Sequence, residues 1–103
     1  MGKFSRDKGY RVENNLRKQI LKHEKMECIR VPLSGGASIR GDLIFNKIGG
    51  EKWYAEVKSR ADGFKNIYKW KNNHEVLIIK ADNKKALAIV DLDDLITLIE
   101  EQK

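Results

Sequence analysis

Asp42-Leu43-Ile44-Phe45-Asn46-Lys47-Ile48-Gly49-Gly50-Glu51-Lys52-Trp53-Tyr54-Ala55-Glu56-Val57-Lys58-Ser59 is the stretch that decides the fold. Two strand-like runs, 42–46 and 52–59, flank a Gly-Gly pair, the pattern of a β-hairpin. A turn centred near Gly49 sets Asp42 opposite Glu56 on adjacent strands. Their Cβ atoms would then lie about 4.5–5.5 Å apart on one face. Two carboxylates so placed repel each other unless a cation sits between them. Lys58, two residues past Glu56, shares that face, whereas Trp53, Ala55, Val57 and Ser59 alternate to the other and read as core.

Hard oxygen ligands of this kind suit Mg²⁺ or Mn²⁺ with retained waters. The chemistry they suit is metal-assisted phosphodiester hydrolysis, with a nearby ammonium offsetting charge that grows on the phosphate. The same Glu-x-Lys pattern also fits an ordinary exposed strand in a chain that is 35% charged. A turn shifted by one residue would take Asp42 out of register with Glu56.

Upstream, residues 6–26 predict an amphipathic helix, with Val12, Leu16 and Ile20 recurring every four residues. Glu13 lies about 20° around that helix from Ile20 and about 60° from Leu16. An acid within the core-facing arc needs a partner. One choice is Arg17, a turn further on, and the other is the cation held by Asp42 and Glu56. Residues 28–33 predict a strand whose end, at Pro32, belongs at a sheet edge. Ser34-Gly35-Gly36 predicts a loop, either a plain turn or a cradle of backbone N–H groups for a phosphate. Downstream come a short helix over 64–73, strands over 75–80 and 86–90, and a helix from Asp91 or Asp93 to about Glu101. Either aspartate can cap that helix. The order predicts an α/β (mixed α+β) domain, a mixed sheet flanked by helices.

The 103 residues make one domain, 1–103. No apolar run reaches the length of a membrane span, and the polar N-terminus predicts no secretory signal. A single cysteine, Cys28, excludes an internal disulfide and a Cys-rich zinc site, so a reducing, cytoplasmic compartment is expected. Charge is uneven. Residues 1–90 hold 20 of the 21 Lys and Arg and 10 of the 15 Asp and Glu. The body is thus more basic than the net +6 implies. A polyanion is the partner this suggests, and a merely solubilising surface is the alternative.

Four motifs in order, Lys8-Gly9-Tyr10-Arg11-Val12-Glu13, Arg30-Val31-Pro32-Leu33-Ser34-Gly35-Gly36, Gly41-Asp42-Leu43-Ile44 and Ala55-Glu56-Val57-Lys58-Ser59, resemble the archaeal-type Holliday-junction resolvases of the PD-(D/E)xK nuclease superfamily. The resemblance runs over residues 8–60, with a looser match at 89–95. It implies a restriction-endonuclease-like fold with a central mixed five-stranded sheet. It also implies Mg²⁺ (or Mn²⁺) held by Glu13, Asp42, Glu56 and the Val57 carbonyl, with Lys58 as the catalytic lysine. Ser34 would be the hydroxyl near the scissile phosphate, and a homodimer would act on DNA, a four-way junction above all. Gly41 stands where the family usually has proline, and the segment between Ser59 and Glu75 is shorter than usual and lacks glutamine. DNA contacts then fall to Lys3, Arg6, Lys8, Gly35, Gly36, Arg40, Arg60, Lys65 and Lys69, with Tyr68, Trp70 and Lys71 beside them. Those aromatics fit equally as cover for the sheet. The rivals are a nicking or flap nuclease without junction preference, a non-catalytic DNA-binding module, and a structural domain whose acids form an ion-pair network.

Overall fold

A computed structural model describes residues 2–31 and 41–103, with side chains from Gly9 onward in the first helix. The described residues form three helices and five strands in the order α1 (Gly2–Leu21), β1 (Met26–Arg30), β2 (Leu43–Lys47), β3 (Trp53–Ala55), α2 (Lys65–Lys71), β4 (Leu77–Ile79), β5 (Leu87–Ile89) and α3 (Leu92–Glu100). Its contacts group into two compact units, residues 1–59 with 96–103, and residues 60–95.

In the first unit α1 stops earlier than its apolar period suggests. The chain turns as the His23 N–H bonds Ile20 O at 3.1 Å and the Met26 N–H bonds His23 O at 3.0 Å. Met26 thereby becomes the first residue of β1, so that strand runs over 26–30 rather than 28–33. The three strands are antiparallel in the order β1-β2-β3, with Cys28 paired to Phe45 and Ile29 to Ile44. Leu43 pairs with Ala55, Ile44 with Tyr54 and Phe45 with Trp53, the register expected from a turn centred on Gly49. Gly49 adopts φ +83°, and the Gly50 N–H closes the turn on Lys47 O at 2.7 Å. Glycine takes that conformation without strain.

Strand alternation sends Met26, Cys28, Leu43 and Phe45 inward, where they are buried with Ile20 of α1 and with Ile96 and Ile99. Each such side chain contributes about 1.5–3 kcal/mol by leaving water. Burial also pushes the Cys28 thiol pKa up from its ordinary 9.0, a shift that nearby Arg17 partly opposes. Glu100 ties residues 96–103 to the end of α1, since its carboxylate meets His23 Nδ1 at 3.2 Å and the Lys25 N–H at 3.1 Å. Trp53 departs from the expected core position. It is 41% exposed and stacks on Phe45, with ring centroids 6.3 Å apart.

In the second unit β4 and β5 form an antiparallel pair, Ile78 opposite Ala88, turning through Ala81–Lys84 with Asn83 at φ +62°. Its only buried described residue is Lys71. The Lys71 ammonium donates to His74 O and lies 3.4 Å from Asp91 Oδ1. Asp91 therefore serves as an ion-pair partner before the first turn of α3, whose own acids are Asp93 and Asp94. Tyr68 and Trp70 are 76% and 56% exposed, so neither is core.

Among the described residues the five strands hydrogen-bond as a sheet of three and a sheet of two, every pair antiparallel, and a single mixed five-stranded sheet is not seen among them. The expected strand over 52–59 keeps its alternation, with residues 55, 57 and 59 half-buried and 56, 58 and 60 exposed. Its ladder nevertheless ends at Ala55, where β2 runs out.

Candidate active site

Asp42 and Glu56 stand at that end of the ladder, each one residue beyond the Leu43–Ala55 pair. Asp42 is held at three atoms. Its N–H donates to Ala55 O at 2.7 Å, its carbonyl accepts the Val31 N–H at 2.9 Å, and its Oδ2 accepts the Val57 N–H at 2.8 Å. The side chain thus replaces the backbone partner that β3 loses here. In a regular antiparallel ladder Asp42, whose carbonyl already faces β1, would stand opposite Glu56 as a non-hydrogen-bonded pair and send neither backbone group to β3. The ladder is interrupted at this point, where Gly41 has φ +85°.

Glu56 and Lys58 share a face as their spacing requires, with Lys58 Nζ 2.9 Å from Glu56 Oε2. Both side chains are more than half exposed, and such a pair is weak and readily exchanged for another partner. An open groove of about 1030 Å³, lined by Gly41, Lys52, Trp53, Tyr54, Glu56 and Lys103 among others, leaves Glu56 within reach of a large ligand.

Glu13 is engaged elsewhere. Its Oε1 accepts from Arg30 Nε at 3.1 Å, with both side chains about four-fifths buried. The Arg30 guanidinium also lies 3.6 Å over the centre of the Tyr10 ring. Tyr10 first, and then Glu13, hold its pKa above the ordinary value, so it stays charged at any working pH. The expected short-range partner Arg17 instead donates to Asn14 Oδ1 at 3.0 and 3.1 Å. Arg30 is the residue that sequence reasoning missed. The available signal was that Tyr10 and Glu13 sit three apart on one helix face, where a single cation can meet both.

Among the described residues, no group of three or more His, Cys, Asp or Glu side chains is disposed to hold a metal ion. Asp42, Val57, Glu56 and Lys58 are neighbours on one strand end, and Glu13 is not gathered with them. By donor chemistry the carboxylates suit a hard divalent cation, and Glu13 would have to leave Arg30 to join them. Ser34, Gly35, Gly36 and Arg40 lie outside the described residues, as do the side chains of Lys3, Arg6 and Lys8. Of the remaining basic candidates, Arg60, Lys65 and Lys69 are exposed. Lys65 makes only a solvent-exposed contact of 3.6 Å with Asp62. Lys71, by contrast, is spent inside its unit.

The described residues form an α+β arrangement whose antiparallel sheet, backed by α1, ends in two carboxylates and a lysine. The family comparison makes this particular: the chain belongs to the archaeal Holliday junction resolvase family, whose model matches residues 4–93. The match spans both compact units. No curated protein and no solved structure matches the chain. No described helix is long and apolar enough to cross a membrane.

Proposed function

We propose that the protein is a divalent-metal-dependent endonuclease that hydrolyses phosphodiesters in branched DNA, four-way junctions above all. In this reading residues 1–103 act as one cytoplasmic nuclease domain whose two units serve a single reaction. The observation that carries the reading is Asp42 fastened to the Val57 N–H beside the Glu56–Lys58 pair, in a chain of the resolvase family.

Asp42, Glu56, the Val57 carbonyl and a released Glu13 would hold Mg²⁺ or Mn²⁺. When bound, that ion supplies Lewis acidity toward the phosphate and a more acidic water. The rest falls to the chain. Lys58 exchanges Glu56 for the scissile phosphate and offsets the charge that develops there. The Asp42–Val57 bond keeps the carboxylate from swinging away as DNA arrives. Ser34 offers its hydroxyl to the phosphate, and Gly35-Gly36 offers backbone N–H groups. Lys3, Arg6, Lys8, Arg40, Arg60, Lys65 and Lys69 meet the phosphates of the arms. A four-way junction is two-fold symmetric, and one chain of this size cannot carry two such sites, so a homodimer supplies the pair of cuts.

A second reading is a DNA-binding module on the same fold that does not cut. It is favoured by the Glu13–Arg30 pair, which keeps one carboxylate away from the other two. Labelled four-way junction, duplex and single strand, with and without Mg²⁺ at two salt concentrations, separate the possibilities. Mg²⁺-dependent cutting of the junction supports the proposal. Equal cutting of duplex points to a nicking nuclease. Salt-sensitive binding without any cutting selects the module.

A further inference from the structure

We propose that Gly41 is a positioning residue for the carboxylate site, and that the absence of a side chain there seats Asp42 against the third strand. A Cβ built on Gly41 would lie 2.8 Å from Ala55 O and 3.3 Å from both Ala55 C and Ala55 N. These are backbone atoms, which cannot step aside as a flexible side chain would. The backbone at Gly41 also has φ +85°, a conformation that L side chains rarely adopt and proline cannot reach. Only glycine satisfies both conditions at once. The close passage it permits delivers the very next N–H to Ala55 O at 2.7 Å. The regular ladder is interrupted there, and Asp42 Oδ2 accepts the Val57 N–H at 2.8 Å. Gly41 touches no reacting group. It sets where Asp42 stands relative to Glu56 and Lys58, and so acts through them.

Gly49 provides an internal control. It too has positive φ, +83°, but a Cβ there meets nothing within 4 Å. Alanine at Gly49 carries the backbone strain alone, and alanine at Gly41 carries the strain together with the collision. A difference between the two variants therefore reports the contact with Ala55.

The activity arm of the test rests on the proposed nuclease function, and the exchange arm does not. The full-length wild type, Gly41→Ala and Gly49→Ala are compared by amide hydrogen exchange at Val57, and by kcat and KM on a four-way junction with Mg²⁺. Gly41→Ala is expected to speed Val57 exchange by about tenfold or more. It is expected to lower kcat by about 10²-fold, the scale of a 1 Å misplacement, with KM for DNA within about twofold. Gly49→Ala is expected to leave Val57 exchange, kcat and KM near wild type. Unchanged Val57 exchange in Gly41→Ala, or an equal effect from Gly49→Ala, overturns the proposal. Faster exchange with an unchanged kcat also overturns it, because Gly41 is then only structural. A wild type that never cuts removes the nuclease reading, while exchange still decides whether Gly41 seats Asp42. Should Gly41→Ala not fold, Asp42→Ala frees the same N–H from the other side. A Val57 amide that exchanges alike in wild type and Asp42→Ala overturns the seating.

Discussion

Asp42 carries two tasks that a pair of substitutions separates. Asp42→Asn and Asp42→Ala both remove the negative charge, so any relief of repulsion from Glu56 is common to the two. They differ in one respect: the asparagine Oδ1 can still accept the Val57 N–H that Asp42 Oδ2 takes at 2.8 Å, and alanine cannot. A hydrogen bond between neutral groups has a net worth of about 0.5–1.5 kcal/mol, and a half-buried N–H left unpaired adds to the loss. Asp42→Ala is therefore expected to be less stable than Asp42→Asn by about 1 kcal/mol, or about 4–8 °C in Tm for a domain of this size. Cleavage of a four-way junction with Mg²⁺ should fall by at least about 10²-fold in both. DNA binding should stay intact or tighten slightly in both, because a carboxylate facing phosphate has been removed. Thermal melts and single-turnover cleavage on the same preparations make the measurement. Equal melting temperatures refute the contact argument, and wild-type cleavage by either variant refutes the site.

Three further outcomes follow from the same geometry. Lys58→Ala should lower the cleavage rate by about 10²–10³-fold with metal affinity little changed; full rescue by added Mg²⁺ would make Lys58 a binding residue instead. Arg30→Leu should cost about 1–2 kcal/mol, between the values for exposed and fully buried pairs, and a cycle with Glu13→Gln should give a coupling of about 0.5–2 kcal/mol; additive melts would show that the 3.1 Å pair is not formed in solution. The Cys28 thiol has its folded pKa raised above 9.0, so its contribution to stability is complete below the unfolded value and is lost as pH rises past it; Cys28→Ala should show a shallower loss of stability above about pH 9 than wild type in urea melts.

What could be read from the sequence was local, and what could not was set by other elements. The β2–β3 register follows from Gly49-Gly50 alone, because a short turn fixes which residues face each other, and the pairs Leu43–Ala55 and Phe45–Trp53 agree with it. The side on which Glu56 and Lys58 stand follows equally from the period of two. The length of β3 does not, because a ladder needs a partner. The alternation continues to Ser59 after β2 has ended. Alternation places Trp53 in the core, but it lies at the hairpin end of a three-residue strand, where stacking on Phe45 covers only part of it. The partner of Glu13 was out of reach for the same reason: Arg17 is near in sequence, and Arg30 is brought in by β1. Family membership was legible because it rests on four motifs in order, a pattern that needs no tertiary information.

The same distinction bears on which cations are available to DNA. Lys71 has the sequence setting of a phosphate contact, sitting among Lys65, Tyr68, Lys69 and Trp70. Its ammonium is nevertheless only 11% exposed, and it is occupied by His74 O and Asp91. Moving it to a phosphate would leave the His74 carbonyl and Asp91 without it and would reopen the only buried position in its unit. Lys65 and Lys69 are exposed on the same short helix and give up nothing comparable. Each phosphate neutralised steepens the fall of log K with log salt by about 0.9. Lys65→Gln and Lys69→Gln should therefore each make the slope shallower by about 1 while leaving Tm within a degree or two. Lys71→Gln should leave the slope unchanged and lower Tm by several degrees, because its loss is paid inside the fold. Binding of a four-way junction titrated across salt, beside melts of the same three variants, reads both quantities. A Lys71→Gln protein that melts like wild type and loses a full unit of slope would show that this lysine leaves Asp91 for DNA.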